Sequence, residues 1–408
     1  MPSSGWRARP PWCWPDGGRS GIPPRCCAMI SHLWSGSPRK GICSGLLVLC
    51  CGLCGPAQAE SSLPGTPLPL QPTPDVKVTP QHPMQFPNAL GSHPDFPIEW
   101  WYVTGWLHNA SGKPLGFQVT FFRVRAPEVW ANPSAFNPGE LLFAEAALSD
   151  PRIGHLLTAQ RAARADLGLA GADRNHTDVW IRHWYLRQQG RAYEAHIDGK
   201  GIRYRLRFTT TQPALLEGLQ GISRKGPDPK NASYYYSLPH LKVSGTVDIK
   251  GRREPVSGEA WLDHEWSAAY LPKQAVGWDW LGVNLKDGGA LMVFMMRRAD
   301  GAPLWLAATE RNAQGQVHYI PGKDIRMQPT GWWRSPQTGI RYPVRWQMQV
   351  GNLHFAIVPL MDNQEFDASR SSGTVYWEGA VRAVTGRQTA GRGYLELTGY
   401  GGRLALGQ

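Results

Sequence analysis

Four consecutive residues, Asp263, His264, Glu265 and Trp266, place two carboxyls, an imidazole and an indole in one short stretch. On a strand, Asp263 and Glu265 share one face, and His264 and Trp266 share the other. One reading is acid catalysis: a carboxyl gives a proton to a carbon–carbon double bond, and indole faces stabilise the cation that forms. The other is structural: Asp263 and His264 tie the end of a strand to the connector after it. Two more clusters set an acid among aromatics, Glu99-Trp100-Trp101-Tyr102 and Trp278-Asp279-Trp280. A buried carboxyl there would have a raised pKa and could act as a general acid. Alternatively, each acid pairs with an arginine, Arg123 or Arg297. Glu99, Trp100, Trp101, Tyr102, Tyr235, Trp278 and Trp280 are candidates for contact with an apolar ligand. Asp263, His264, Trp266 and Asp279 are candidates for chemistry.

Other chemistries find little footing. No Gly-x-Ser-x-Gly occurs, and Ser267 is too close in the chain to His264 to form a triad with it alone. Phosphate-loop and dinucleotide fingerprints are missing, so no cofactor is expected. Neither His-x-His nor His-x-x-x-His spacing is present, and no metal ligands are assigned.

The elements that must position these residues are hairpins. After Pro94 and Pro97, residues 99–107 alternate with period two: Trp101, Val103 and Gly105 lie on one face, Trp100, Tyr102, Thr104 and Trp106 on the other. Asn109 to Pro114 supplies a turn, and residues 116–123 return. The pattern recurs at Gly277–Leu285, with a turn at Lys286–Gly289 and a return over Ala290–Arg297. Trp100 then lies over Trp278, Tyr102 over Trp280, and Arg123 over Arg297. A weaker echo closes each unit, Trp261-Leu-Asp263 against Tyr394-Leu-Glu396. Two related all-β units in tandem are expected. The site is expected at their junction, because residues 263–266 end one unit and 277–280 open the next.

The chain has 408 residues, 19 Trp, 46 Gly and a net charge of +12. All seven Cys lie before residue 55. Arg39-Lys40, an apolar run over 42–53 and Ala57-Gln-Ala59 read as a secretory signal peptide, with Met29 as the true start and Glu60 as the first mature residue. The mature chain then has no thiol, and 37 basic against 30 acidic side chains. Its basic residues are scattered, which argues against nucleic-acid binding and allows peripheral contact with anionic lipid. Residues 60–80 are a Pro-rich linker; the first unit is placed at 81–270 and the second at 271–408.

Strands are expected near 99–107, 116–125, 141–148, 178–187, 192–198, 202–208, 241–249 and 257–265. In the second unit they are expected near 278–285, 290–298, 304–311, 316–319, 344–350, 353–359, 374–382 and 393–400. Residues 159–167 are read as a short helix or irregular crossing. Residues 215–237, rich in Gly and Pro before Tyr234-Tyr235-Tyr236, are read as a long functional loop, whose three tyrosines either gate a pocket or pack against the barrel rim.

Four stretches carry a resemblance: His93-Pro-x-x-Pro-x-Glu-Trp-Trp-Tyr102, Ser233 to Pro239 with Val243 to Thr246, Gly258-x-Ala-Trp-Leu-Asp-His-Glu-Trp266, and Gly277-Trp-Asp-Trp280. In these the chain resembles the AttH/carotenoid 1,2-hydratase (CrtC-like) family of secreted, tandem lipocalin-like proteins. The resemblance implies two calycin-type antiparallel β-barrels and a hydrophobic ligand such as an isoprenoid, polyene or lipid. Some relatives hydrate an isolated double bond, with a His-x-Trp pair that matches His264 and Trp266. An aspartate also acts in them; Asp263 and Asp279 both remain candidates here. The expectation is an exported, periplasmic or secreted protein with hydro-lyase-like activity. The rival readings are a lipid carrier or chaperone of the cell envelope, working beside an envelope transporter, and a secreted hydrolase.

Overall fold

The computed structural model describes residues 76–125, 139–165, 167–269 and 271–404. The expected signal peptide, its cleavage site and most of the Pro-rich linker lie outside these residues.

Nearly all the regular structure is strand. In chain order the first half contains β1 (Ile98–Asn109), β2 (Pro114–Val124), β3 (Leu141–Ser149), β4 (Leu156–Arg164), β5 (Ala170–Ala172), β6 (Asp178–Ile181), β7 (Trp184–Gln189), β8 (Ala192–Asp198), β9 (Ile202–Thr209), β10 (Leu215–Leu216), β11 (Ile222–Arg224), β12 (Ala232–Ile249) and β13 (Arg252–Ser267). The second half contains β14 (Gly277–Leu285), β15 (Ala290–Arg297), β16 (Pro303–Arg311), β17 (Val317–Pro321), β18 (Ile325–Arg334), β19 (Arg341–Val350), β20 (Leu353–Pro359), β21 (Glu365–Ala368), β22 (Thr374–Thr385) and β23 (Gln388–Leu397). The first thirteen form one antiparallel sheet and the last ten another. Each curls around its own apolar core, giving two tandem lipocalin-like barrels.

The duplication is visible in register. β1 lies between β2 and β13, as β14 lies between β15 and β23. Trp100 pairs with Phe122, and Trp278 with Met296. Tyr102 faces Asp263 across its ladder, and Trp280 faces Glu396 across the other. Asp263 and Glu396 therefore occupy matching places, as the closing echo predicts.

Alternation decides which way each side chain points. From β1, Trp101, Val103 and Leu107 enter the first barrel's core, while Tyr102 and Trp106 enter a third cluster between the barrels. That cluster also holds Trp261 from β13, Trp280 from β14 and Phe294 from β15. Fully burying each such side chain stabilises by roughly 1.5–3 kcal/mol, so both faces of the central strands contribute. Polar links cross the same seam. Trp106 Nε1 donates to Gly393 O at 3.0 Å, Asn284 Nδ2 to Ala260 O at 3.1 Å, and Ser149 Oγ to Gln364 Oε1 at 2.7 Å.

Three expectations need correction. Residues 159–167 are mostly strand: β4 pairs along its whole length with β3, and this pairing overrides the helix propensity of its alanines. The stretch 215–237 is not one loop. It contains β10 and β11, both paired to the N-terminal part, Ala232 to Ser237, of an 18-residue β12 that includes Tyr234, Tyr235 and Tyr236. Its glycines serve local turns; Gly218 and Gly221 have φ of 67° and 88°. The strand β18 was not anticipated, because Pro329 and Gly331 interrupt its pattern; the ladder accommodates them by register shifts around Gly331.

Candidate functional site

A cavity of about 370 Å³ lies between the barrels, walled by the outward faces of their central strands. β1 contributes Trp100 and Tyr102, and β13 contributes Asp263 and Glu265. Opposite them stand Trp278 and Trp280 from β14, Glu378 from β22 and Glu396 from β23. Phe122, Phe143 and Phe294 make much of the remaining wall apolar.

The carboxyls in this wall are held mainly by neutral donors. Tyr102 donates its hydroxyl to Glu378 Oε2 at 3.0 Å, and Trp278 Nε1 donates to Glu396 Oε2 at 3.1 Å. Tyr376 donates to Glu145 Oε2 at 2.6 Å. Glu378 and Glu396 are direct cross-strand partners. Burial, with the Glu396 charge beside it, pushes the Glu378 carboxyl far above the usual carboxylate range; burial also raises Glu396 and Glu145. Glu265 differs, since Lys225 Nζ lies 2.7 Å from its Oε1 and Ser233 also bonds it.

Asp263 sits at the end of a hydrogen-bonded chain. Its Oδ1 accepts from Trp261 Nε1 at 2.6 Å, and Tyr235, whose hydroxyl accepts from Trp280 Nε1 at 3.0 Å, also bonds it. Ser237 Oγ lies 2.6 Å from Asp263 Oδ1 and 2.8 Å from Glu217 Oε1. A hydroxyl has one proton and can donate to one of these carboxyls only. The second contact needs a proton of its own, so one of the two acids is protonated. Electrostatics agree: burial pushes Asp263 up to about 7, and burial with the Asp263 charge pushes Glu217 up to about 8. Glu217 is wholly buried one layer behind the cavity wall.

The eleven residues singled out in the sequence divide between two environments. Trp100, Tyr102, Tyr235, Asp263, Trp278 and Trp280 line the cavity. Glu99, Trp101, His264, Trp266 and Asp279 point the other way, into the barrels. The cause is the period of two: His264 and Trp266 alternate with Asp263 and Glu265, and Asp279 alternates with Trp278 and Trp280.

Inside the first barrel, Glu99 binds His93 through its backbone N–H and its Nδ1, the latter at 2.8 Å, His264 Nε2 at 2.9 Å and Arg123 Nε at 2.9 Å. Burial alone would raise the Glu99 pKa; the bonds from His264 and His93 and the Arg123 charge outweigh it and hold the carboxyl well below the usual range. Burial lowers His264 to about 4 despite the pull of Glu99, so its imidazole is neutral at pH 7. Trp101 stacks on His264 at 4.8 Å, and His93 stacks on Trp266 at 3.6 Å. Ligand-type atoms of His93, Glu99 and His264 lie within 4.8 Å of one another, a set of metal donors that local spacing could not reveal. The Arg123 guanidinium already supplies a cation to that carboxylate, which opposes a divalent ion beside it. In the second barrel Asp279 is 3.5 Å from Arg297 Nε and accepts from Tyr400 at 3.2 Å; burial raises it to about 6 against the Arg297 charge.

Sequence reasoning did not select Glu145, Glu217, Lys225, Glu378 or Glu396 as site residues. Glu396 lay in the closing echo, and Glu217 and Lys225 lay in the stretch read as a functional loop. Glu145 and Glu378 had no local signal, being single acids within apolar strands.

Known proteins match this architecture. The crystal structure of an AttH-like protein from Nitrosomonas europaea is 45% identical, with a TM-score of 0.75, over 80% of this chain and 99% of that one. Kievitone hydratase from Nectria haematococca shares the fold at 13% identity, with a TM-score of 0.58, over 76% of this chain and 90% of that one. No curated protein matches. The family model described as AttH-like matches residues 77–400. With both barrels inside that match, the chain belongs to the AttH-like family.

Proposed function

We propose that the protein is a cofactor-free hydro-lyase acting on a long apolar molecule, an isoprenoid or polyene of the kind carotenoid 1,2-hydratases use. One observation carries the reading: a largely apolar, aromatic-walled cavity into which carboxyls project, Asp263 and Glu378 among them, that burial raises above the usual carboxylate range. Protonating an alkene needs an acid without bulk water, since an exposed cation would react unselectively. Asp263 is the proton donor, held by Trp261, Tyr235 and Ser237. Its proton goes to one alkene carbon and leaves a cation on the other, facing the indoles of Trp100, Trp278 or Trp280. Water adds to that cation and yields a proton to the Glu378–Glu396 pair. Glu217, through Ser237, returns a proton to Asp263; the Glu378–Glu396 pair then gives its gained proton up to solvent and Glu217 takes one back, so every carboxyl ends as it began. The sum is alkene plus water giving an alcohol. The structural likeness to a hydratase supports the same reaction class. His264, Trp266 and Asp279 hold the strands that present this wall. The protein works outside the cytoplasm, with the lipophilic ligand drawn from the envelope or delivered there by a transporter.

The test is to extract the lipids that co-purify with the protein from its native envelope and identify them by mass spectrometry. Incubation in isotopically labelled water follows. Hydration incorporates one labelled oxygen, and Asp263→Asn slows this about 10²–10⁴-fold. A lipid that binds and leaves unchanged, equally in both proteins, refutes the hydratase and makes the chain a carrier.

A further inference from the structure

Carboxyls on the cavity wall outnumber its basic groups. Lys225 is taken up by Glu265 at 2.7 Å. Glu145, Asp263, Glu378 and Glu396 remain, and none of the four has a Lys, Arg or His ion-pair partner among the described residues. Their hydrogen bonds come from tyrosine, tryptophan and serine, which neutralise no charge. Glu378 is wholly buried, lines the cavity, and its Oε1 has no partner. The rings of Trp100, Trp278 and Trp280 line the same space. Carboxyls without counter-ions beside aromatic rings form an environment that favours a cation and disfavours an anion.

We infer that the cavity selects lipophilic cations: an apolar body bearing one quaternary ammonium or protonated tertiary amine, placed at the Glu378–Glu396 end. The inference rests on the cavity being the working site, and it narrows the ligand class to isoprenoid or polyene molecules that carry an amine or ammonium group. In the hydration reaction the transient carbocation meets the same field.

Binding such a cation ionises carboxyls that were protonated in the empty cavity, so it releases protons. The titratable groups sharing the cavity with Glu378 are Tyr102 on β1, Glu145 on β3, Lys225 and Tyr235 from the 222–235 segment, Asp263 and Glu265 on β13, Tyr376 on β22 and Glu396 on β23. Raised carboxyl pKa values on this wall make them the source of the protons.

The experiment uses decyltrimethylammonium, decyl glucoside and decanoate below their micelle concentrations, with isothermal titration calorimetry in two buffers of different ionisation enthalpy. The cation should bind at least about tenfold tighter than the neutral probe, about 1.4 kcal/mol, with decanoate weakest and protons released only with the cation. Glu378→Gln and Glu396→Gln, checked for an unchanged fold by circular dichroism, should each cut the preference by about tenfold. Equal binding of all three probes, failure of all to bind, or a preference unchanged in both variants overturns the inference. The labelled-water assay is independent: turnover without cation preference sinks only this inference, and cation preference without turnover sinks only the hydratase.

Discussion

Glu217→Gln isolates the energetic consequence of the buried acid chain. The native carboxyl titrates at about 8 against an ordinary 4.5, with burial as the first cause and the Asp263 charge as the second. Between those values the folded protein keeps a proton that the unfolded chain gives up. Stability therefore falls as pH rises through the window, by about 1.4 kcal/mol per unit, and levels off above about 8. At pH 7 the cost is about 3 kcal/mol. Glutamine has nearly the same shape, can still bond Ser237, and does not ionise. The variant should match the native protein near pH 4.5 and exceed it by under about 1 kcal/mol at pH 5 and by up to about 3 kcal/mol at pH 7. Coupling to Asp263 makes the larger figure an upper bound. Urea denaturation at a series of pH values measures the gap. A gap that stays constant with pH, or a variant less stable at every pH, would show that Glu217 is not held protonated in the fold.

Glu99 should behave in the opposite sense. Its native pKa is depressed, so the stability it contributes is present above about 4.5 and is lost as pH falls below that value; the difference between native protein and Glu99→Gln in urea should shrink on acidification. Arg123→Met strands the buried Glu99 and should cost about 3–5 kcal/mol, read from chemical denaturation. Arg297→Met should cost less, because its contact with Asp279 is 3.5 Å rather than 2.9 Å. N-terminal sequencing of the exported protein should begin at Glu60, and its melting temperature should not respond to reductant, since no Cys follows Cys54.

Much of the scaffold was legible because its strands alternate strictly. The opposed faces of Trp100 and Trp101, and of Asp263 and His264, follow from period two alone. Equivalence of Tyr102 with Trp280 and of Asp263 with Glu396 was legible because duplication leaves matched aromatic spacing. What alternation cannot state is which face meets the interior and which meets the other barrel. Both are apolar here, so His264 and Asp279 looked as eligible as Asp263. Glu378 illustrates a different limit. Its role arises from Tyr102, 276 residues away, and no local pattern encodes that meeting. Likewise β4 takes its form from the β3 edge rather than from its own residues.

Each barrel interior is filled by its own side chains, and the cavity belongs to the seam. This makes ligand recognition a joint product of two domains that no longer need to resemble each other there. After a duplication, the interior of each copy stays constrained by folding, while the two facing exteriors are released from contact with water and can drift separately. One wall can acquire acids while the other acquires indoles, and a change in ligand preference needs substitutions on one side only. Different ligand preferences among tandem barrels should therefore map onto outward-facing positions of the central strands, with the barrel interiors left nearly unchanged.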